Sequence, residues 1–227
     1  MQVENELWFV DKPVPLPLSQ SDVLELLADM HRFELVQRTA LLSRLQHFKR
    51  LGFPAGVNVG KGYKARYDIP QIVQLLVAFE ILELGVTPER IVRLLDANSD
   101  LLVIAAGLGS DRLSYDLFDN DPSHAVYLFF DPATLQAQAS DEDPAQDSTM
   151  GWGFEQETSA AIFSGGRRIA VINASQMLNM AAQHLVTSDV CSRDQFRRGL
   201  FEWAANFNWL IAAPDHPAWR GLHGDGT

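Results

Sequence analysis

The chain has 227 residues, 47% of them apolar and 21% charged, with a formal net charge of −11. That size and balance suit one large or two small globular domains with a proper core, and the acidity disfavours polyanion binding unless charge is segregated. A lone cysteine, Cys191, excludes an internal disulfide framework or a thiolate metal cage and fits a reducing cytosol.

No apolar run reaches the length of a membrane span, and from the acidic start MQVENELWFVDK no secretion signal is expected. A cytoplasmic location without a membrane partner is therefore expected. Residues 1–20 continue with Pro13, Pro15 and Pro17 alternating with Val14 and Leu16, which forbids a helix and predicts an extended arm.

Ser19 to Asp22 offer capping chemistry for a helix beginning near Val23, with Leu24, Leu26, Leu27 and Met30 as its apolar stripe. A second helix is expected from Thr39, as its cap, to Leu51. Leu42, Leu45 and Phe48 are expected to face the core, which leaves Ser43, Arg44, Gln46, His47, Lys49 and Arg50 on the other faces. Gly52 and Pro54 supply the stop. Two such helices suit a helix-turn-helix whose second member is the reader.

This second helix lies in the most unusual stretch of the chain. Residues 35–67 hold seven of the eighteen Lys and Arg residues and no Asp or Glu. The remaining residues carry eleven basic and twenty-nine acidic side chains. Ordinary surfaces intersperse both signs, so a stretch without carboxylates in an acidic protein reads as a footprint for a polyanion. Residues 56–67 close the stretch with Gly56, Gly60 and Gly62 among Val57, Val59, Tyr63 and Tyr67. The alternation predicts a two-stranded wing bearing Lys61, Lys64 and Arg66. It lacks the strand, helix and terminal Gly-Lys-Ser/Thr context of nucleotide-binding loops.

Asp68 and Pro70 open a third helix running to Leu84, with Ile72, Leu75, Leu76, Phe79 and Leu82 inside and Gly85 after it. Thr87 and Pro88 open a fourth, with Ile91, Leu94 and Leu95 buried. Residues 98–123 read as loop. Ala125–Phe130 and Ile169–Ile172 read as short strands, each followed by an Asp or Asn cap and a helix, and Gly151–Gly166 holds a candidate third strand. Residues 140–150 form an acidic loop. Ser192 caps a last helix with the stripe Phe196, Leu200, Trp203 and Phe207, a candidate dimer contact because aromatics are enriched at interfaces.

The succession of reading helix, glycine-bearing wing and helix pair resembles the DNA-binding domain of the MerR family of winged helix-turn-helix regulators. SRLQHFKRLGFP is similar to that family's reading helix and stop, GYKARY to its wing ending, and IVQLLVAFEILELGVTPERIVRLL to the helix pair that follows. The similarity covers residues 22–96. It implies that Ser43, Arg44, Gln46 and His47 meet base edges and that Tyr63, Lys64 and Arg66 grip the backbone, with Lys49, Arg50 and Lys61 completing the cationic set. The wing is one residue longer than that family's pattern, and no heptad helix or metal-sensing cysteine set follows.

The expected fold is α+β: an arm over 1–20, a winged helix-turn-helix domain over 21–97, an α+β dimerisation or effector domain over 98–213, and a flexible tail over 214–227. The expected function is sequence-specific binding of double-stranded DNA as a homodimer that regulates transcription. The transcription machinery is a candidate further partner, and no cofactor, metal or catalysis is expected. Two alternatives are an accessory factor for recombination or replicon maintenance and a protein-interaction adaptor using the basic face. Asp119, Asp121 and Asp131 read as turn and cap residues rather than as a carboxylate site. His184 and Cys191 are seven apart with no second pair, which disfavours zinc.

Overall fold

The computed structural model describes residues 17–57, 64–113, 125–130, 150–154 and 169–205. Most of the arm, residues 58–63 of the wing, Asp119, Asp121, Asp131, the acidic loop up to 149 and the tail lie outside the described residues. Among the described residues there are seven helices and two small antiparallel sheets, a mixed α+β fold.

Strand β1 (Leu18–Ser19) leads directly into α1 (Gln20–Met30). Ser19 closes a capping box. Its hydroxyl accepts the Asp22 N–H at 3.3 Å, and its own N–H donates to Asp22 Oδ2 at 2.8 Å. Two orphan donors of the first turn are satisfied this way. The buried face of α1 is Val23, Leu26, Leu27, Ala28 and Met30, and Leu24 is only half-buried, one position off the expected stripe.

A 3-10 turn (Leu35–Gln37) delivers the chain into α2 (Arg38–Arg50), so Thr39 lies inside the helix rather than capping it. The buried stripe is Leu41, Leu45 and Phe48, a spacing of four then three residues. That spacing holds closer to one helix face than two steps of three, and Leu42 moves to the flank. Gly52 then adopts φ +77°, a left-handed turn that ends the helix at no steric cost.

Strand β2 (Arg66–Tyr67) returns to pair with β1, Tyr67 opposite Leu18 and Arg66 opposite Ser19. Helix α3 (Ile69–Glu83) follows, with the Asp68 N–H donating to Gln71 Oε1 at 3.0 Å. Gly85, at φ +81°, makes the turn into α4 (Pro88–Ala97), which buries Ile91, Leu94 and Leu95 as expected.

The main departure from expectation is α5 (Ser99–Arg112), a helix in a stretch whose sequence reads as loop. Leu102, Val103, Ile104, Ala105, Ala106 and Leu108 are all buried. A helix apolar on every side belongs in the middle of a fold, and its burial outweighs the poor helix propensity of Gly107 and Gly109. Gly109 also permits close approach, since a Cβ there would sit 2.7 Å from Leu178 Cδ1. The buried Ser110 hydroxyl donates to Gly107 O at 2.6 Å, so it carries no unmet hydrogen bond.

Strands β3 (Tyr127–Phe130), β4 (Met150–Gly153) and β5 (Ala170–Asn173) form an antiparallel sheet in the order β4-β3-β5. Leu128 and Phe130 face the core while the Phe129 ring covers its register partner Gly151 on the other side. Asn173 caps α6 (Ala174–Thr187) by accepting the Gln176 N–H at 2.9 Å. Buried Ser175 ties this helix to the sheet, accepting the Val126 N–H at 2.9 Å and donating its own N–H to Val126 O at 3.3 Å. The strand, cap and helix expected at Ile169 are present. The helix expected after Asp131 lies outside the described residues.

Helix α7 (Arg193–Ala205) buries Phe196, Leu200 and Ala204. The buried residues form one cluster from Leu18 to Ala204. Helix α5 packs on α6 and α7 and also touches α3 and α4, and α7 touches α3. Gly199 of α7 lets α3 approach closely, since a Cβ there would lie 2.8 Å from Ile69 Cγ1.

Candidate nucleic-acid interface

Helix α2 is the element to which sequence assigns a reading role. With about 100° between successive residues, Thr39, Ser43, Gln46 and Arg50 fall on one line opposite Leu41, Leu45 and Phe48. All four are exposed. Ser43 Oγ donates to Thr39 O at 3.0 Å, which leaves its oxygen outward as an acceptor. Gln46 presents an amide that donates and accepts, and Arg50 a guanidinium fork. This outward stripe contains no carboxylate.

Arg38, Arg44, His47 and Lys49 divide between the two flanks of α2. On one flank Arg44 Nη1 lies 3.0 Å from Glu83 Oε1 and His47 Nε2 lies 2.9 Å from Glu89 Oε1. These acids stand at the end of α3 and the start of α4. The Arg44 guanidinium also sits 5.4 Å from the centre of the Phe33 ring, a cation–π distance. On the opposite flank Arg38 pairs with Glu25 of α1, Nη2 to Oε2 at 2.7 Å, and Lys49 Nζ donates to Gln20 Oε1 at 2.9 Å.

A stretch free of acids in sequence is therefore not free of acids in space. Glu25, Glu83 and Glu89 come onto it from three helices. Arg44 and Lys49 point to opposite flanks, so one unopposed cationic face over the whole stretch does not form. The pairs are exposed, and exposed ion pairs contribute roughly 0–1 kcal/mol each, small enough for phosphate to exchange with carboxylate.

The electrostatics around these pairs follow from position. The Glu89 carboxyl is held below its usual range, first by a backbone N–H hydrogen bond in the opening turn of α4 and then, against a burial push, by His47. Burial holds His31 below its usual value, with Glu83 opposing and Arg44 adding to the effect. Burial, helped by Glu83, pushes Glu80 up.

Lys64 and Arg66 are exposed, and Arg66 faces Ser19 across the β1–β2 pair, beside the start of α1. Lys61 and Tyr63 lie outside the described residues. Tyr67 is fully buried, and its hydroxyl has no hydrogen-bond partner among the described residues. In α7, Phe196 and Leu200 are 0% exposed within the chain's own core and Trp203 is half-buried against it. Phe207 lies outside the described residues.

Sequence reasoning missed the three glutamates because each is separated from its partner by thirteen or more positions. It also missed a Ser, His and Asp line. Asp29 Oδ2 lies 3.0 Å from His184 Nδ1, and His184 Nε2 lies 3.3 Å from Ser188 Oγ. Acyl transfer also needs backbone donors aimed at an oxyanion. The N–H groups of Ser188, Asp189 and Val190 instead donate to His184 O, Val186 O and Leu185 O at the end of α6. What this line does is join α6 to α1. Among the described residues no three His, Cys, Asp or Glu side chains converge on a metal position, and no helix is long and apolar enough to cross a membrane.

Compared with family models, curated proteins and solved structures, the chain matches none.

Proposed function

We propose that the chain is a regulator of transcription that binds double-stranded DNA in a sequence-specific manner. Helix α2 enters the major groove and the segment closed by β2 lies on flanking phosphates. The observation that carries this proposal is the outward stripe of α2, where Ser43, Gln46 and Arg50 stand exposed and without a carboxylate among them. Gln pairs bidentately with adenine and Arg with guanine, and Ser accepts or donates to either. The order β1, α1, α2, β2, α3, α4, with β2 returning to β1, supports it further. So does the exposure of Lys64 and Arg66 at that return.

The likeness to MerR-type readers adds to the proposal, with a revised division of labour. Ser43, Gln46 and Arg50 meet the bases, while Arg44 and His47 meet the phosphate wall on the α3–α4 flank. Pairing of two copies on two half-sites follows from the usual geometry of such readers. That pairing uses a surface other than Phe196 and Leu200, which the chain's own core occupies.

An adaptor for an acidic protein is the second reading. One observation favours it, since carboxylates already satisfy Arg38, Arg44 and His47. Gel-shift titration against a random duplex library separates the two. A regulator selects duplexes and loses them on S43A/Q46A/R50A substitution, whereas an adaptor selects none.

A further inference from the structure

The carboxylates on the reading helix belong to the helix pair behind it. Glu83 ends α3 and Glu89 opens α4, on either side of the turn at Gly85, and they hold Arg44 and His47 of α2 at 3.0 and 2.9 Å. A backbone N–H in the first turn of α4 holds the Glu89 carboxyl below its usual range. Arg44 is further confined by the Phe33 ring, so its guanidinium stays on the flank and does not reach round to the outward stripe.

When a helix lies in the major groove its outward stripe faces base edges and its flanks face the two phosphate walls. One wall here meets Arg44 and His47, each with its own carboxylate about 3 Å away. On a well-seated site phosphates draw Arg44 and His47 forward and the carboxylates are left behind. On a poorly seated site Arg44 and His47 stay paired and the carboxylates stand against the phosphates, at a range that salt screens little.

We infer that Glu83 and Glu89 form a carboxylate gate that suppresses sequence-independent DNA binding. The gate makes use of the phosphate wall conditional on correct register at Ser43, Gln46 and Arg50. Specificity often rests on such repulsive elements as well as on attractive ones. The inference rests on the DNA-binding proposal and adds to it how the site rejects the wrong duplex.

The test uses the full chain, as wild type and as E83Q/E89Q, with E202Q as control. Glu202 pairs with Arg198 on α7 at 2.7 Å, so its loss changes net charge without touching α2. The ligands are a random-sequence duplex and the duplex that wild-type protein selects from a random library. E83Q/E89Q is expected to bind the random duplex roughly tenfold tighter, and the selected duplex no more than about threefold tighter, with E202Q near wild type.

If wild type binds duplexes but E83Q/E89Q leaves random-duplex affinity unchanged, or matches E202Q, the gate is overturned and the DNA-binding proposal stands. If neither protein binds any duplex at low salt, both are overturned. The single variants E83Q and E89Q, checked for folding by circular dichroism, replace the double variant should it fail to fold.

Discussion

Arg44 Nη1 lies 3.0 Å from Glu83 Oε1, so a cation on the candidate reading helix is met by a carboxylate thirty-nine residues away. The same guanidinium lies over Phe33, whose neighbour His31 is half-buried against Phe79. Arg44 thus covers apolar surface as well as carrying charge.

Replacing Arg44 with Ala removes an exposed ion pair and a cation–π contact. The expected cost is about 1–2 kcal/mol of stability, of which the pair itself accounts for under about 1 kcal/mol. Urea denaturation of R44A, E83A and the double variant measures both quantities. A coupling near zero assigns the whole loss to the Phe33 contact.

The buried phenol of Tyr67 predicts a loss of stability at high pH. Burial raises its pKa from 10.0 to about 12, so the fold favours the neutral form. The associated stability is complete below pH 10 and is lost as pH rises through 12. A rise of that size is worth on the order of 2–3 kcal/mol. Burial raises Cys191 likewise from 9.0 to about 11, which adds a loss that begins at lower pH. In Tyr67→Phe the orphaned hydroxyl is gone, so stability at pH 7 is unchanged or up to about 1 kcal/mol higher. Denaturation midpoints measured from about pH 8 to 12 then lose the Tyr67-linked part of the decline and keep the cysteine-linked part.

Gly199 predicts a packing penalty between α7 and α3. Alanine is the better helix former by about 1 kcal/mol, but its Cβ would fall 2.8 Å from Ile69 Cγ1, on a side chain only 6% exposed. Overpacking a core costs about 1–3 kcal/mol, so Gly199→Ala is expected to be net destabilising by about 1 kcal/mol. A thermal midpoint at or above wild type would show that Ile69 moves aside freely.

What sequence discloses and what it hides divide along physical lines. Helices α1, α3 and α4 are legible because Ser19, Asp68 and Thr87 mark their starts locally and apolar stripes mark their inner faces. The strands at Tyr127 and Ala170 are legible from short apolar runs beside capping residues. Helix α5 is not, because burial on every side erases the period that signals a helix, and Gly107 and Gly109 imitate a loop. Within α2, the exposed positions of Ser43, Gln46 and Arg50 follow from helical spacing. The pairing of Arg44 and His47 does not, because it depends on where the α3–α4 turn lands in space.

Salt dependence of duplex binding is the most direct measurement. With at least Arg44, Lys64 and Arg66 on phosphates, the logarithm of affinity should fall against the logarithm of salt with a slope of about −2.7 or steeper. The folded R50A/K64A/R66A variant should lose most of that slope together with its affinity. A wild-type protein whose duplex affinity is flat across salt, or is unchanged by the triple substitution, would contradict the proposal that α2 and β2 face DNA.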